Sequence, residues 1–102
     1  MAVIMKQVMS AGVPLDMIDA VTEEMGADTS PPEGMIFHAH YEEDGRVHIL
    51  DVWESAAAHE AFRDARLMPA MAKVAAARGF DLAAAGPPET AFTEVHRLVR
   101  GK

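Results

Sequence analysis

Three of the chain's five histidines, its single tryptophan and its single tyrosine fall within FHAHYEEDGRVHILDVWES, residues 37 to 55. Imidazole is the side chain that gives and takes protons near neutral pH. A carboxylate beside it fixes its orientation and favours its charged form. His38, Asp51 and His40 are therefore the candidate catalytic set. His38 is placed to take a proton from a phenol or enol, Asp51 to orient it, and His40 to act as a second donor. Trp53 offers a flat wall for an aromatic ligand.

Whether these residues meet depends on strand register. The stretch reads as two strands, 35 to 42 and 46 to 54, joined by a tight turn at Asp44-Gly45. A two-residue turn pairs Glu43 with Arg46. It then sets Ile36 opposite Trp53, His38 opposite Asp51 and His40 opposite Ile49, all on one face. Phe37, Ala39, Leu50 and Val52 take the other face, where Tyr41 meets His48. The first face combines Ile36, Ile49 and Trp53 with His38, His40 and Asp51. Apolar walls around a few converging polar groups are the usual lining of a small-ligand pocket. A three-residue turn with a glycine bulge is the alternative, and it sets His40 opposite His48.

Plainer readings stand beside the catalytic one. Paired His and Asp on a sheet can line an interface through hydrogen bonds alone. An H-x-H pair with Asp51 or Glu42 is a fragment of a metal site, but a third firm ligand is missing, so no metal is assigned. His48 and His96 read as structural or solvent-facing, and His59 as exposed near Arg63 and Arg66. The methionines, including Met5, Met9, Met17, Met25, Met35, Met68 and Met71, read as core filler.

The elements that carry these residues follow from periodicity and punctuation. Residues 2 to 9, AVIMKQVM, read as a strand. Pro14 suits a helix start, and Leu15, Ile18, Val21 and Met25 mark the apolar stripe of a helix stopped by Gly26. Ser55 is a natural N-cap for the Ala-rich run to Arg78, which Pro69 divides or kinks and Gly79 ends. FDLAAAGPPE reads as a loop, and residues 90 to 99 as the last strand. The order β-α-β-β-α-β is the split βαβ, ferredoxin-like arrangement, an α+β class with two helices on one face of an antiparallel sheet. The opposite face needs a cover, which a second copy of the chain would supply.

Length and composition narrow the function. At 102 residues the chain is expected to form one domain, 1 to 102, with a modest core. Sixteen acidic against nine basic residues give a formal net charge of −7, which disfavours nucleic acid and anionic membranes as partners. There is no cysteine for a disulfide or thiolate chemistry. No stretch has the length of a membrane span, and the first residues lack the pattern of a secretory signal, so the cytoplasm is the expected location. Phosphate-loop, dinucleotide and hydrolase-triad patterns are absent.

The run HILDVWESAAAHEAFRDARLMPAM, with Val52 to Ser55 followed by Phe62 and by Leu67 to Ala70, resembles the dimeric α+β barrel superfamily. Within it the likeness is to the antibiotic biosynthesis monooxygenase-like group, and it covers nearly the whole chain. The resemblance implies a homodimer in which two sheets close into a barrel, with small ligands held between sheet and helices. It implies Phe62 as a second ligand wall beside Trp53. Members include cofactor-free monooxygenases that oxidise polycyclic phenols to quinones, and others degrade haem. The haem-degrading branch places its iron-binding histidine near Ala72 and its tryptophan near Phe62. This chain has no asparagine, a residue used by that branch and by some quinone-forming enzymes. Haem degradation is thereby disfavoured, and no cofactor is expected. The expected function is binding of a small aromatic or polyketide-like molecule, with cofactor-independent oxygenation as the candidate chemistry. A non-catalytic ligand-binding or structural dimer is the alternative.

Overall fold

The computed structural model describes residues 1 to 101. The chain runs β1 (Val3–Val8), α1 (Leu15–Met25), β2 (Met35–Glu43), β3 (Arg46–Trp53), α2 (Ala56–Phe62), a π-turn (Arg63–Leu67), α3 (Met68–Arg78), α4 (Leu82–Ala85) and β4 (Glu89–Glu94). The four strands form one antiparallel sheet in the order β2-β3-β1-β4. This is the ferredoxin-like α+β arrangement expected from the element order. No helix among the described residues is long and apolar enough to cross a membrane.

The hairpin adopts the two-residue turn. Asp44 and Gly45 both have positive φ, 53° and 74°, as the tight turn that matches strand twist requires. Glu43 pairs with Arg46, Tyr41 with His48, His40 with Ile49 and His38 with Asp51. The pairing departs from expectation at one place. Met35, not Ile36, lies opposite Trp53, and the ladder resumes at Phe37 with Val52. Ile36 is the extra residue of a bulge. The bulge follows Gly34, whose φ of 83° lies in the left-handed region that favours glycine and whose added Cβ would lie 2.7 Å from the Ala58 Cβ. Only a residue without a side chain lets α2 come that close to the strand entrance.

The helices cover the face that carries His38, His40, Asp51 and Trp53. Val3, Met5, Trp53 and Phe62 pack as one buried group, and Met9, Val13, Ile18 and Val47 as another. Met17, Val21, Ala70, Val74 and Ala75 join α1 to α3. Met17 is the most buried residue of α1, one place off the stripe drawn through Leu15. Most methionines do fill the core, but Met68 is 53 % exposed. The outer sheet face stays bare. Phe37 and Tyr41 are 49 % and 42 % exposed there, beside Ile4, Leu50 and Val52 on the same face.

The long Ala-rich segment stays helical across Pro69. The Ser55 side chain accepts the Ala58 N–H at 3.1 Å, capping α2. The π-turn Arg63–Leu67 then leads without a break into α3, with Pro69 in its first turn. Two boundaries differ from the sequence reading. Leu82–Ala85 is a short helix inside the expected loop, because Asp81 accepts the Ala84 N–H and caps it. β4 ends at Glu94, since its only neighbour, β1, begins at Val3 opposite that residue. One further bond, Val95 N–H to Ala2 O, closes the ladder.

Candidate functional site

His38 and His40 alternate with Ala39 on the edge strand β2, so their rings project to the same, helix-covered side. Their centroids lie 5.3 Å apart. Four residues from three elements then connect in series. Asp51 Oδ1 on β3 lies 2.6 Å from His38 Nδ1. His38 Nε2 lies 3.0 Å from His40 Nδ1. His40 Nε2 lies 2.7 Å from Asp19 Oδ1 on α1. At the inner end Trp53 donates its indole N–H to Asp51 Oδ2 at 3.1 Å.

The chain passes from interior to solvent. The Asp51 side chain is 4 % exposed and that of Asp19 is 56 % exposed. A buried carboxylate with no partner would be costly, and Asp51 has two. All four ring nitrogens of His38 and His40 are engaged. The two histidines also help line a groove of about 370 Å³ between α1 and β2, with Asp19, Thr22, Glu23, Asp28 and Ala39 as its other walls.

The predicted ligand walls lie elsewhere. Trp53 is fully buried and Phe62 is 8 % exposed. They pack on each other with ring centroids 5.1 Å apart, and the partly buried Ile49 packs against their cluster. None of the three, nor Ile36, lines the groove. The structure therefore brings His38, His40 and Asp51 together as expected. It joins Trp53 to them only through the Asp51 hydrogen bond.

Sequence reasoning missed two residues. Asp19 lies off the apolar stripe of α1, and it is the outer member of the hydrogen-bonded chain. Nothing local marks it, because the contact spans 21 positions. His59 was expected to be exposed and is 4 % exposed. Its ring meets the edge of Trp53 at 5.4 Å and of Phe92 at 5.3 Å, and its Nδ1 is sealed from solvent without a hydrogen-bond partner. Burial pushes the His59 pKa below its usual value. The negative charge of Asp51 opposes that, the charge of Arg63 adds to it, and Glu60 opposes it. The signal for His59 was present: it stands three residues before Phe62, hence on the same helix face.

No protein-family model and no curated protein matches this chain. Solved structures do. Rv0793 from Mycobacterium tuberculosis superposes with a TM-score of 0.64 at 14 % identity, covering 97 % of this chain and 98 % of that one. SnoaB from Streptomyces nogalater, a cofactor-independent oxygenase, gives 0.59 at 16 % identity, with 98 % and 97 % covered. The "Putative antibiotic biosynthesis monooxygenase from Nitrosomonas europaea" gives 0.64 at 8 % identity, with 95 % and 100 % covered. The chain shares the fold of these proteins along nearly its whole length. At these identities the likeness concerns the fold, and residue roles have to be argued from the site itself.

Proposed function

We propose that this protein is a small-molecule-binding α+β barrel homodimer that removes a proton from an aromatic or polyketide-like phenol or enol and lets the resulting anion react with dioxygen, without a cofactor. The observation that carries this reading is the Asp51–His38 pair, 2.6 Å apart and set beside an open groove. Asp51 holds His38 through Nδ1, which leaves Nε2 as the basic atom. A substrate oxygen reaches it by taking the place of His40. The freed His40 ring then donates to the same oxygen, so charge developing there is met by an N–H. The electron-rich anion transfers electrons to dioxygen, and the oxidised carbon gains one oxygen while the second leaves as water. SnoaB, with the same fold, is a cofactor-independent oxygenase. The bare outer face, with exposed Phe37 and Tyr41, supports pairing of two copies.

A second reading, a binding module without turnover, has its own support. Every nitrogen of His38 and His40 already has a partner, as a brace between α1 and the edge strand would require. Anthrone and dioxygen, followed by oxygen uptake and anthraquinone formation, separate the two. The oxygenase reading expects turnover that falls at least about a hundredfold in His38→Gln, the scale of a lost general base. Binding of anthrone with no oxygen uptake in either protein favours the binding module. Sedimentation of the purified protein as a monomer would contradict the paired barrel.

A further inference from the structure

The hydrogen bonds around His38 and His40 need more protons than two neutral imidazoles hold. Three links run in series from Asp51 to Asp19. Each needs one proton between its two heavy atoms. Two neutral imidazoles and two carboxylates supply two. If both carboxylates accept, His38 carries its proton on Nδ1 and His40 on Nε2. His38 Nε2 and His40 Nδ1 would then face each other as bare lone pairs at 3.0 Å. A third proton between them removes that repulsion.

We infer that Asp19, His40, His38 and Asp51 form a proton relay that stores one proton between the two imidazoles, with Asp19 as the positioning residue that passes it to water. The surroundings favour the extra positive charge. Asp19 and Glu23 from α1 and Asp28 from the following loop line the groove, with no lysine or arginine among its walls. Asp51 on β3 contacts His38 directly, and Glu42 continues the same face of β2 two residues beyond His40. From α2, His59 feels the charge of Asp51. The four members thus carry a net charge of −1 instead of −2, since two carboxylates flank one imidazolium.

Release of the stored proton is a two-hop step. His40 gives its Nε2 proton to Asp19 as His38 gives its Nε2 proton to His40 Nδ1. Asp19 then loses the proton to water and returns to a carboxylate. His38 is left neutral, with Nδ1–H on Asp51 and a free electron pair on Nε2, which is the form a base requires. His40 is neutral with Nδ1–H turned toward His38. The link that opens is His40 to Asp19, the most exposed of the three. On the oxygenase reading this arms the site, and to that extent the inference rests on it.

The test needs no substrate. Ring nitrogens of histidine-labelled protein are followed by ¹⁵N NMR between about pH 5 and 8, the range in which imidazoles change charge. The relay expects three ring N–H groups shared by His38 and His40 at the acidic end and two at the basic end. Asp19→Asn keeps an oxygen that can accept from His40 but lacks the charge, and the third N–H is then lost at a pH where the native protein retains it. Asp19→Glu restores it. Unchanged backbone spectra show that each variant is folded. Two N–H groups throughout the range in the native protein, or identical titrations in native and Asp19→Asn proteins, overturn the relay. Anthrone turnover read alongside keeps the claims apart: a third proton with no turnover sinks the oxygenase reading alone, and turnover without a third proton sinks the relay alone.

Discussion

Two histidine environments share the helix-covered side of the sheet and are built in opposite ways. At the β2 edge, His38 and His40 have a partner for every ring nitrogen, and their chain ends at solvent on Asp19. Over β3 and β1, His59 sits in an aromatic box of Trp53, Phe62 and Phe92, with Nδ1 lacking any partner. Asp51 stands between the two, bonded to His38 on one side and to the Trp53 indole on the other. The difference shows what decides the behaviour of an imidazole. The first pair is fully partnered and reaches water, whereas burial pushes the pKa of the second below its usual value.

The largest expected effect tests whether the box is core. Phe62→Ala should lower unfolding free energy by about 3–5 kcal/mol, read by urea denaturation. A loss under about 1 kcal/mol would mean that the box is loosely filled and open to ligands. Next comes the shared carboxylate. Asp51→Ala removes the acceptor of two hydrogen bonds in a buried place, leaving Trp53 N–H unpaired and His38 without its partner. A loss of about 3 kcal/mol is expected, together with altered titration of His38 in the NMR experiment. Loss of stability with His38 unaffected would break the connection between the two regions.

His59 supplies a pH signature. Its pKa is lowered from 6.5 in the folded protein, so below that value the unfolded chain binds the proton that the folded one refuses. Stability is fully present above about pH 6.5 and declines as pH falls toward the folded value. His59→Phe should reduce that decline, measured as the change in urea midpoint between neutral and mildly acidic buffer. An unchanged slope would mean that His59 has access to water. The smallest effect belongs to the exposed end. Asp19→Ala should cost no more than about 1 kcal/mol, as for other exposed ion pairs, while changing the protonation of His40.

Much of the first region was legible because β pairing is regular. Once Asp44-Gly45 set the turn, a period of two placed His38 beside Asp51 and gave both histidines one face. Ile36 escaped because the bulge answers to the fit of Gly34 against Ala58, a contact 24 positions apart that no strand pattern encodes. Asp19 escaped for the same reason, being brought over β2 by the packing of α1. His59 shows a different failure. Its neighbours Arg63 and Arg66 suggested an exposed face, yet Arg66 turns back to donate to the Met25 and Ser30 carbonyls. Phe62 was the better guide to what α2 buries. The short helix after Asp81 and the early end of β4 were set by a cap and by the length of the partner strand.

The contrast between a wired and a sealed histidine can be read in one measurement. Deuterium exchange at the ring C2 position, resolved by mass spectrometry of peptides, reports solvent access and charge state for each histidine separately. His59 should exchange more slowly than His38 and His40, and Asp51→Asn or Asp19→Asn should change the rates of both His38 and His40. Exchange of His59 as fast as that of exposed His96, or no response of His38 and His40 to either substitution, would contradict this contrast.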